Sequence, residues 1–307
     1  MDMTNIINKM LVLLILLLVG YIANKAKILD ESRTRALTTL VLNITQSALI
    51  LGAIMNLEEA VSAKKVCGIL LLSFGMYIFL GLIAVVVPYI LHTKKSDFGV
   101  YRFMTIFGNV GFMGYPVISA IFGQDAIFYT VLFNIPFNLL SYSLGIMLIS
   151  GGKDGFKFDY KLLINFPLIA SFISVVLCFL NIHYPQPLVE ATTSLGDMTT
   201  PGAMLVLGST LAMQPLKKVF GDWHAYGLTF IRLLLIPCAA YFVFSHIVTD
   251  KLLLGILVVV SGMPVATNAT MLTMEYGGNL EVASKTVVLS TILSVASIPL
   301  MVYLLLI

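Results

Sequence analysis

Three stretches of this 307-residue chain, Val66–Thr93, Ala126–Gly152 and Thr286–Ile307, carry no charged side chain. Each is longer than the ~20 apolar residues that take a helix across the hydrocarbon of a bilayer. A water-soluble core has no need of uncharged runs of this length, so they restrict the chain to folds solvated by lipid. Composition agrees. Hydrophobic residues make up 59% and charged residues 11%, against roughly 25% charged in soluble domains, and the mean hydropathy is +1.00. Extending the reading along the chain gives ten spans, at about 6–24, 36–55, 66–91, 100–122, 126–149, 161–180, 188–212, 224–246, 252–275 and 282–306. The predicted class is an all-α polytopic membrane protein. No small-residue cleavage site follows the first span, which reads as a retained helix and not as a signal peptide.

Charge sets the expected orientation. Of the 18 Lys and Arg residues, thirteen gather on one side: Lys25, Lys27, Arg33, Arg35, Lys94, Lys95, Arg102, Lys153, Lys157, Lys161, Lys217, Lys218 and Lys285. Lys9, Lys64, Lys65 and Lys251 fall on the other side, and Arg232 lies inside a span. Basic residues collect in cytoplasmic loops, so both termini are expected to face away from the cytoplasm, with the protein in the cell membrane. A net charge of +3 without a basic patch argues against nucleic acid as a partner. Cys67, Cys178 and Cys238 show neither metal-ligand nor disulfide spacing, and His92, His183, His224 and His246 share no metal-like pattern. No metal or cofactor is expected. HExxH, GxSxG and P-loop patterns are missing, so an enzyme is not expected either.

Ten spans with both ends on one side suit a duplicated five-helix unit, the second copy entering the membrane inverted. The expected halves are 1–150 and 161–307, joined by the glycine- and charge-rich loop 151–160. Two stretches carry the duplication. Span four contains Gly108-Asn109-Val110-Gly111-Phe112-Met113-Gly114-Tyr115-Pro116-Val117, and span nine contains Ser261-Gly262-Met263-Pro264-Val265-Ala266-Thr267-Asn268-Ala269-Thr270. Proline removes a backbone donor and clashes with the preceding turn, and glycine lets the chain extend. Both spans are therefore expected to be broken and, if the copies are inverted, to cross. Paired breaks in corresponding places point to a transport site near the midplane. The amide-rich, positive ends of half-helices there attract an anion. Asn109, Gly111, Tyr115, Pro116, Pro264 and Asn268 are the candidate binding residues. The alternative is a pair of proline kinks that bend helices only for packing.

A second polar set interrupts spans two and seven: Asn43, Thr45, Gln46 and Ser47, and Asp197, Thr199, Thr200 and Pro201. Asn43 and Gln46 join the binding candidates on the ground that intramembrane polar groups face an interior or a wet cavity. Interhelical hydrogen bonding explains them equally well. Asp197 and Arg232 are the two charges inside spans. Three readings stay open: a structural pair, an Arg232 that holds a carboxylate, or an Asp197 that carries a coupling proton.

These residues resemble the auxin efflux carrier family over essentially the whole chain. The most specific part is Asn109, Gly111, Phe112, Gly114, Tyr115, Pro116 and Val117. Met263-Pro264-Val265-Ala266 with Asn268 and Leu195-Gly196-Asp197 through Pro201 with Gly208 also fit. The resemblance implies two inverted five-helix repeats, crossing helices four and nine, an elevator-like movement and an anion held near Asn109, Pro116, Pro264 and Asn268. It is shared in architecture with bile-acid-sodium-symporter-like proteins. Dimers occur among relatives, which admits a homodimer by analogy. Ser47 stands where the family often has proline, and the long hydrophilic central loop of the plant exporters is missing, which favours a small bacterial-type carrier.

The expected function is secondary active transport of a small organic anion, such as a mono- or dicarboxylate, coupled to a proton gradient, the membrane potential or the substrate's own gradient. One rival is a sodium-coupled symporter using Thr199, Thr200, Thr267 and Asn268. The other is a membrane sensor that binds without moving its ligand.

Overall fold

The computed structural model describes residues 3–57, 61–151, 165–180, 182, 184–213 and 221–306. The loop 151–160 beyond Gly151, the basic residues Lys153, Lys157, Lys161, Lys217 and Lys218, and His183 lie outside the described residues. The helices are α1 Met3–Lys25, α2 Glu31–Leu40, α3 Gln46–Met55, α4 Ala63–Ile90, α5 Phe98–Ile106, α6 Tyr115–Phe122, α7 Ala126–Leu140 and α8 Ile146–Ser150. They continue with α9 Phe166–Leu180, α10 Gln186–Asp197, α11 Thr199–Met213, α12 Trp223–Phe230, α13 Ile236–Phe244, α14 Lys251–Ser261, α15 Asn268–Tyr276 and α16 Leu280–Leu306. Among the described residues there is no β-strand, and one isolated antiparallel bridge joins Gly108 to Val265.

Among the described residues, six helical runs are long and apolar enough to cross a bilayer: Ile7–Lys25, Glu31–Met55, Ala63–Ile90, Ala126–Ser150, Trp223–Phe244 and Leu280–Leu306. Val110–Phe122, Phe166–Leu180 and Lys251–Ser261 are shorter apolar helices. Expected spans four, seven and nine are interrupted, between α5 and α6, at Met198 and between α14 and α15. The long helices turn apolar side chains outward: on α4, Leu71 is 74% exposed and Leu82 68%. Continuous apolar surface of this kind is stable only against lipid or protein.

Among the described residues, four π-helical turns widen the helices, at Val41–Thr45, Val110–Gly114, Ser141–Gly145 and Ile231–Leu235. Pro116 and Pro237 each follow such a turn at the same spacing. The proline ring displaces the carbonyl one turn back and opens the ladder there. Ser47 occupies that place after Val41–Thr45, so span two is widened but runs unbroken through to Met55.

The chain forms two compact units that interleave in sequence. The expected halves 1–150 and 161–307 concern duplication, which compactness does not address. The first unit comprises Met1–Leu71, Gly111–Ile135 and Lys161–Gln214. Within it α1 lies directly on α11, because a β-carbon at Gly20 would strike the Leu205 carbonyl and one at Gly208 the Leu17 carbonyl. Small residues allow such backbone approach in lipid, where close packing replaces the hydrophobic drive. Thr34 Oγ1 meets Ser209 Oγ at 2.6 Å, and Asn24 Nδ2 donates to Ser209 Oγ at 3.0 Å.

The second unit comprises Leu72–Val110, Pro136–Tyr160 and Pro215–Ile307. Its helix starts are capped by acids: Asp250 Oδ1 accepts from the Leu252 amide at 2.9 Å, and Asp222 Oδ1 from the His224 amide at 3.1 Å. Asp222 also lies 3.8 Å from Lys285 Nζ, which pairs with Glu281 at 2.6 Å.

Candidate functional site: a backbone crossover

Both broken spans place their unwound residues in the second unit. The α5 helix ends at Ile106 and α14 at Ser261, and the two extended segments that follow run antiparallel. The Asn109 amide donates to the Pro264 carbonyl at 2.8 Å, and the Ala266 amide to the Phe107 carbonyl at 3.0 Å. A third donor, the Val265 amide, finds Ser290 Oγ at 3.1 Å. The segments are fully enclosed: Phe107, Met263 and Val265 have no exposed surface. Backbone groups at this depth have no water to turn to, and here each segment serves as the other's partner.

Arg232 satisfies two further carbonyls. Its Nε donates to Met263 O at 3.0 Å, and its Nη1 to Thr105 O. One guanidinium therefore bridges the last turn before the first break and the start of the second. The fork geometry of arginine suits two acceptors at once. Gly108 makes room for it, since a β-carbon there would overlap Nη2. Tyr77 and Phe137 pack on the Phe107 ring, with centroids at 6.2 and 5.8 Å, and hold the segment from the side.

The half-helices resume differently in the two spans. After the first break, helix returns at Val110, directly beyond Asn109, as a π turn that leads into α6. Pro116 thus sits one turn inside the half-helix and does not mark its end. After the second break, Pro264 lies in the extended segment itself, and α15 begins at Asn268. Asn109 is 3% exposed. Asn268 faces Tyr142, in the π turn Ser141–Gly145, as a hydrogen-bond partner. Its Oδ1 is buried and accepts no hydrogen bond.

The remaining candidates lie in the first unit. Gln46 is 2% exposed, and a β-carbon on Gly111 would come 3.5 Å from its Nε2, so the two adjoin. Gln46 Oε1 is buried without a hydrogen bond, as is Thr199 Oγ1. Asn43 is half-buried on the π turn just before. Tyr115 is fully buried, and Asn134 Nδ2 donates to its hydroxyl at 3.1 Å. Tyr115 and Pro116 border a cavity of about 310 Å³ that Lys9, Gln124, Asp197 and Thr200 also line. That volume is at the lower end for small-molecule sites. Asp197 is exposed, at the end of α10.

The sequence reading missed the Arg232 clasp on two backbone carbonyls, and missed Tyr142, Ser290, Asn134 and Lys9. For Tyr142 a signal existed. Ser141-Tyr142-Ser143 is a polar cluster in the middle of an uncharged run.

Several helices of membrane length and two unwound segments joined through their backbones describe a multi-pass membrane protein with a broken-helix core. The membrane transport protein family model matches residues 5–159 and again 153–302. The chain therefore belongs to this family, that of the auxin efflux carriers. It is 26% identical over 299 residues to an uncharacterised transporter of Methanocaldococcus jannaschii, covering 94% of this chain and 96% of the relative. Identity is 27% over 301 residues to an uncharacterised transporter of Methanothermobacter thermautotrophicus, covering 94% of each. A Rhizobium meliloti protein named "Putative malonate transporter" is 24% identical over 237 residues, covering 74% of this chain and 73% of that protein.

Proposed function

We propose that the chain is a secondary active carrier of a small organic anion, a mono- or dicarboxylate, working by alternating access of the elevator kind. In this reading ten spans form two inverted five-helix repeats with both termini extracytoplasmic. The observation that carries it is the crossover. Two unwound segments are sealed by their own hydrogen bonds, and each is followed by a new helical start beside an asparagine, Asn109 or Asn268. Helix starts present amide donors and positive potential. Rotating the Asn268 amide lets its Oδ1 accept from the Tyr142 hydroxyl and turns Nδ2 toward a ligand. The name of the Rhizobium meliloti relative is in line with a dicarboxylate.

The test is flux in proteoliposomes, preceded by a thermal-shift screen against mono- and dicarboxylates, since a ligand stabilises the state that binds it. Asn109→Ala is expected to abolish flux while the protein still elutes as a folded species. Wild-type kinetics in that variant would remove the site assignment. Binding without flux would instead favour a sensor.

A sodium-coupled symporter is the second reading. The buried oxygen Asn268 Oδ1 accepts no hydrogen bond, and an oxygen acceptor of this kind suits a hard cation. Flux that is equal in sodium and choline buffers sinks this reading.

A further inference from the structure

Arg232 is more deeply enclosed than any other charged side chain among the described residues, at 1% exposure. Burying a charge in the membrane interior is costly, and the usual remedy is a carboxylate partner. Among the described residues of its unit, no acid forms an ion pair with it. Asp222 and Asp250 cap helices, Asp97 pairs with Asn279 at 3.3 Å, and Glu281 pairs with Lys285. Arg232 faces the carbonyls of Thr105 and Met263, which are dipoles and leave its charge standing. Its Nη2 abuts Gly108, the residue before Asn109. A staple that only joined two carbonyls has no need of a full charge. A neutral donor such as Gln or Asn would satisfy them at a smaller desolvation cost.

We propose that Arg232 supplies the positive charge that admits an anion to the crossover, acting through the two unwound segments it clasps without touching the solute. It is a positioning residue whose counter-ion is the cargo. The proposal rests on the organic-anion reading above. A charge felt across about 10 Å at an effective dielectric near 20 changes the affinity of a monoanion by about tenfold, and that of a dianion by about the square of this. The charge therefore also selects dicarboxylates over monocarboxylates, which a purely structural role would not do.

The experiment titrates purified protein with acetate, propionate, malonate and succinate by thermal shift, at a pH where both carboxyls of the diacids are ionised. In Arg232→Gln, propionate should weaken about tenfold and malonate about a hundredfold. Arg232→Lys, which keeps the charge but loses the fork, should melt at lower temperature and yet retain most of the preference for malonate. Gly108→Ala keeps the arginine and pushes Nη2 aside. It should weaken malonate more than propionate, and it decides the matter if the Gln variant does not fold. An unchanged affinity in Arg232→Gln, or equal losses for mono- and dianions in Arg232→Gln or Gly108→Ala, overturns the role of Arg232 and leaves the carrier reading intact. If none of the four anions stabilises the wild type, the organic-anion reading falls and takes this inference with it.

Discussion

At the residue scale, the buried polar groups of this protein divide into those that bond to one another or to the backbone and those left without a hydrogen bond. Tyr115 belongs to the first kind: its hydroxyl accepts from Asn134 at 3.1 Å with no exposed surface on the ring. Tyr115→Phe should lower the melting temperature in detergent through a loss of about 1 kcal/mol. An unchanged melt would mean that this hydrogen bond contributes nothing. Residue types alone picked out Asn109, Asn268 and Gln46, because amides inside an apolar span are rare and costly. They gave no means of ranking Arg232. A buried arginine reads the same in sequence whether it faces an acid or two carbonyls, and only the three-dimensional course of residues 105 and 263 separates the cases.

At the element scale, the two prolines that looked equivalent in sequence occupy different environments. Pro264 lies in the extended segment, where the Asn109 amide takes its carbonyl. Pro116 lies in a helix that has already resumed at Val110. The π turn at Val41–Thr45 forms with Ser47 in the corresponding place, so such a turn does not require proline. Pro116→Ala should thus leave flux nearly unchanged. Pro264→Ala restores an amide and removes the restriction on Met263, letting α14 extend. It should reduce flux strongly in a protein that still folds. Comparable flux in both variants would show that the second break does not depend on its proline. The breaks themselves were legible as glycine and proline inside membrane-length runs. The position of the first was not, because Pro116 drew attention several residues past the extended chain at 107–109. Packing of α1 on α11 makes another prediction. Gly208→Val brings side-chain atoms onto the Leu17 carbonyl and should cost at least the 1–3 kcal/mol typical of overpacking. Size-exclusion profiles of the variant should show loss of folded protein, and a normal profile would contradict the close approach.

At the scale of the whole molecule, hydropathy carried the fold class, because lipid imposes length and backbone satisfaction on every span. The count of spans was harder to read. Three of the ten expected are interrupted, and of the sixth the described helix is Phe166–Leu180, so six full-length helices stand among the described residues where sequence windows gave ten. The asymmetry of Lys and Arg predicts that reporters fused to either end lie outside the cytoplasm. A periplasmic-type phosphatase should be active at both ends, and a fluorescent protein that matures only in the cytoplasm should be dark at both. Opposite results at the two ends would require an odd number of crossings and would sink the ten-span topology.

The ribbon made by Phe107–Asn109 and Pro264–Ala266 has a mechanical consequence. Neither strand can rewind into helix without stripping the other of its partners, Ser290 ties the second to α16, and Arg232 joins Thr105 and Met263, just before each strand. The knot must shift as one rigid piece or stay put, so whatever is docked against it would be carried along bodily, never handed from one strand to the next.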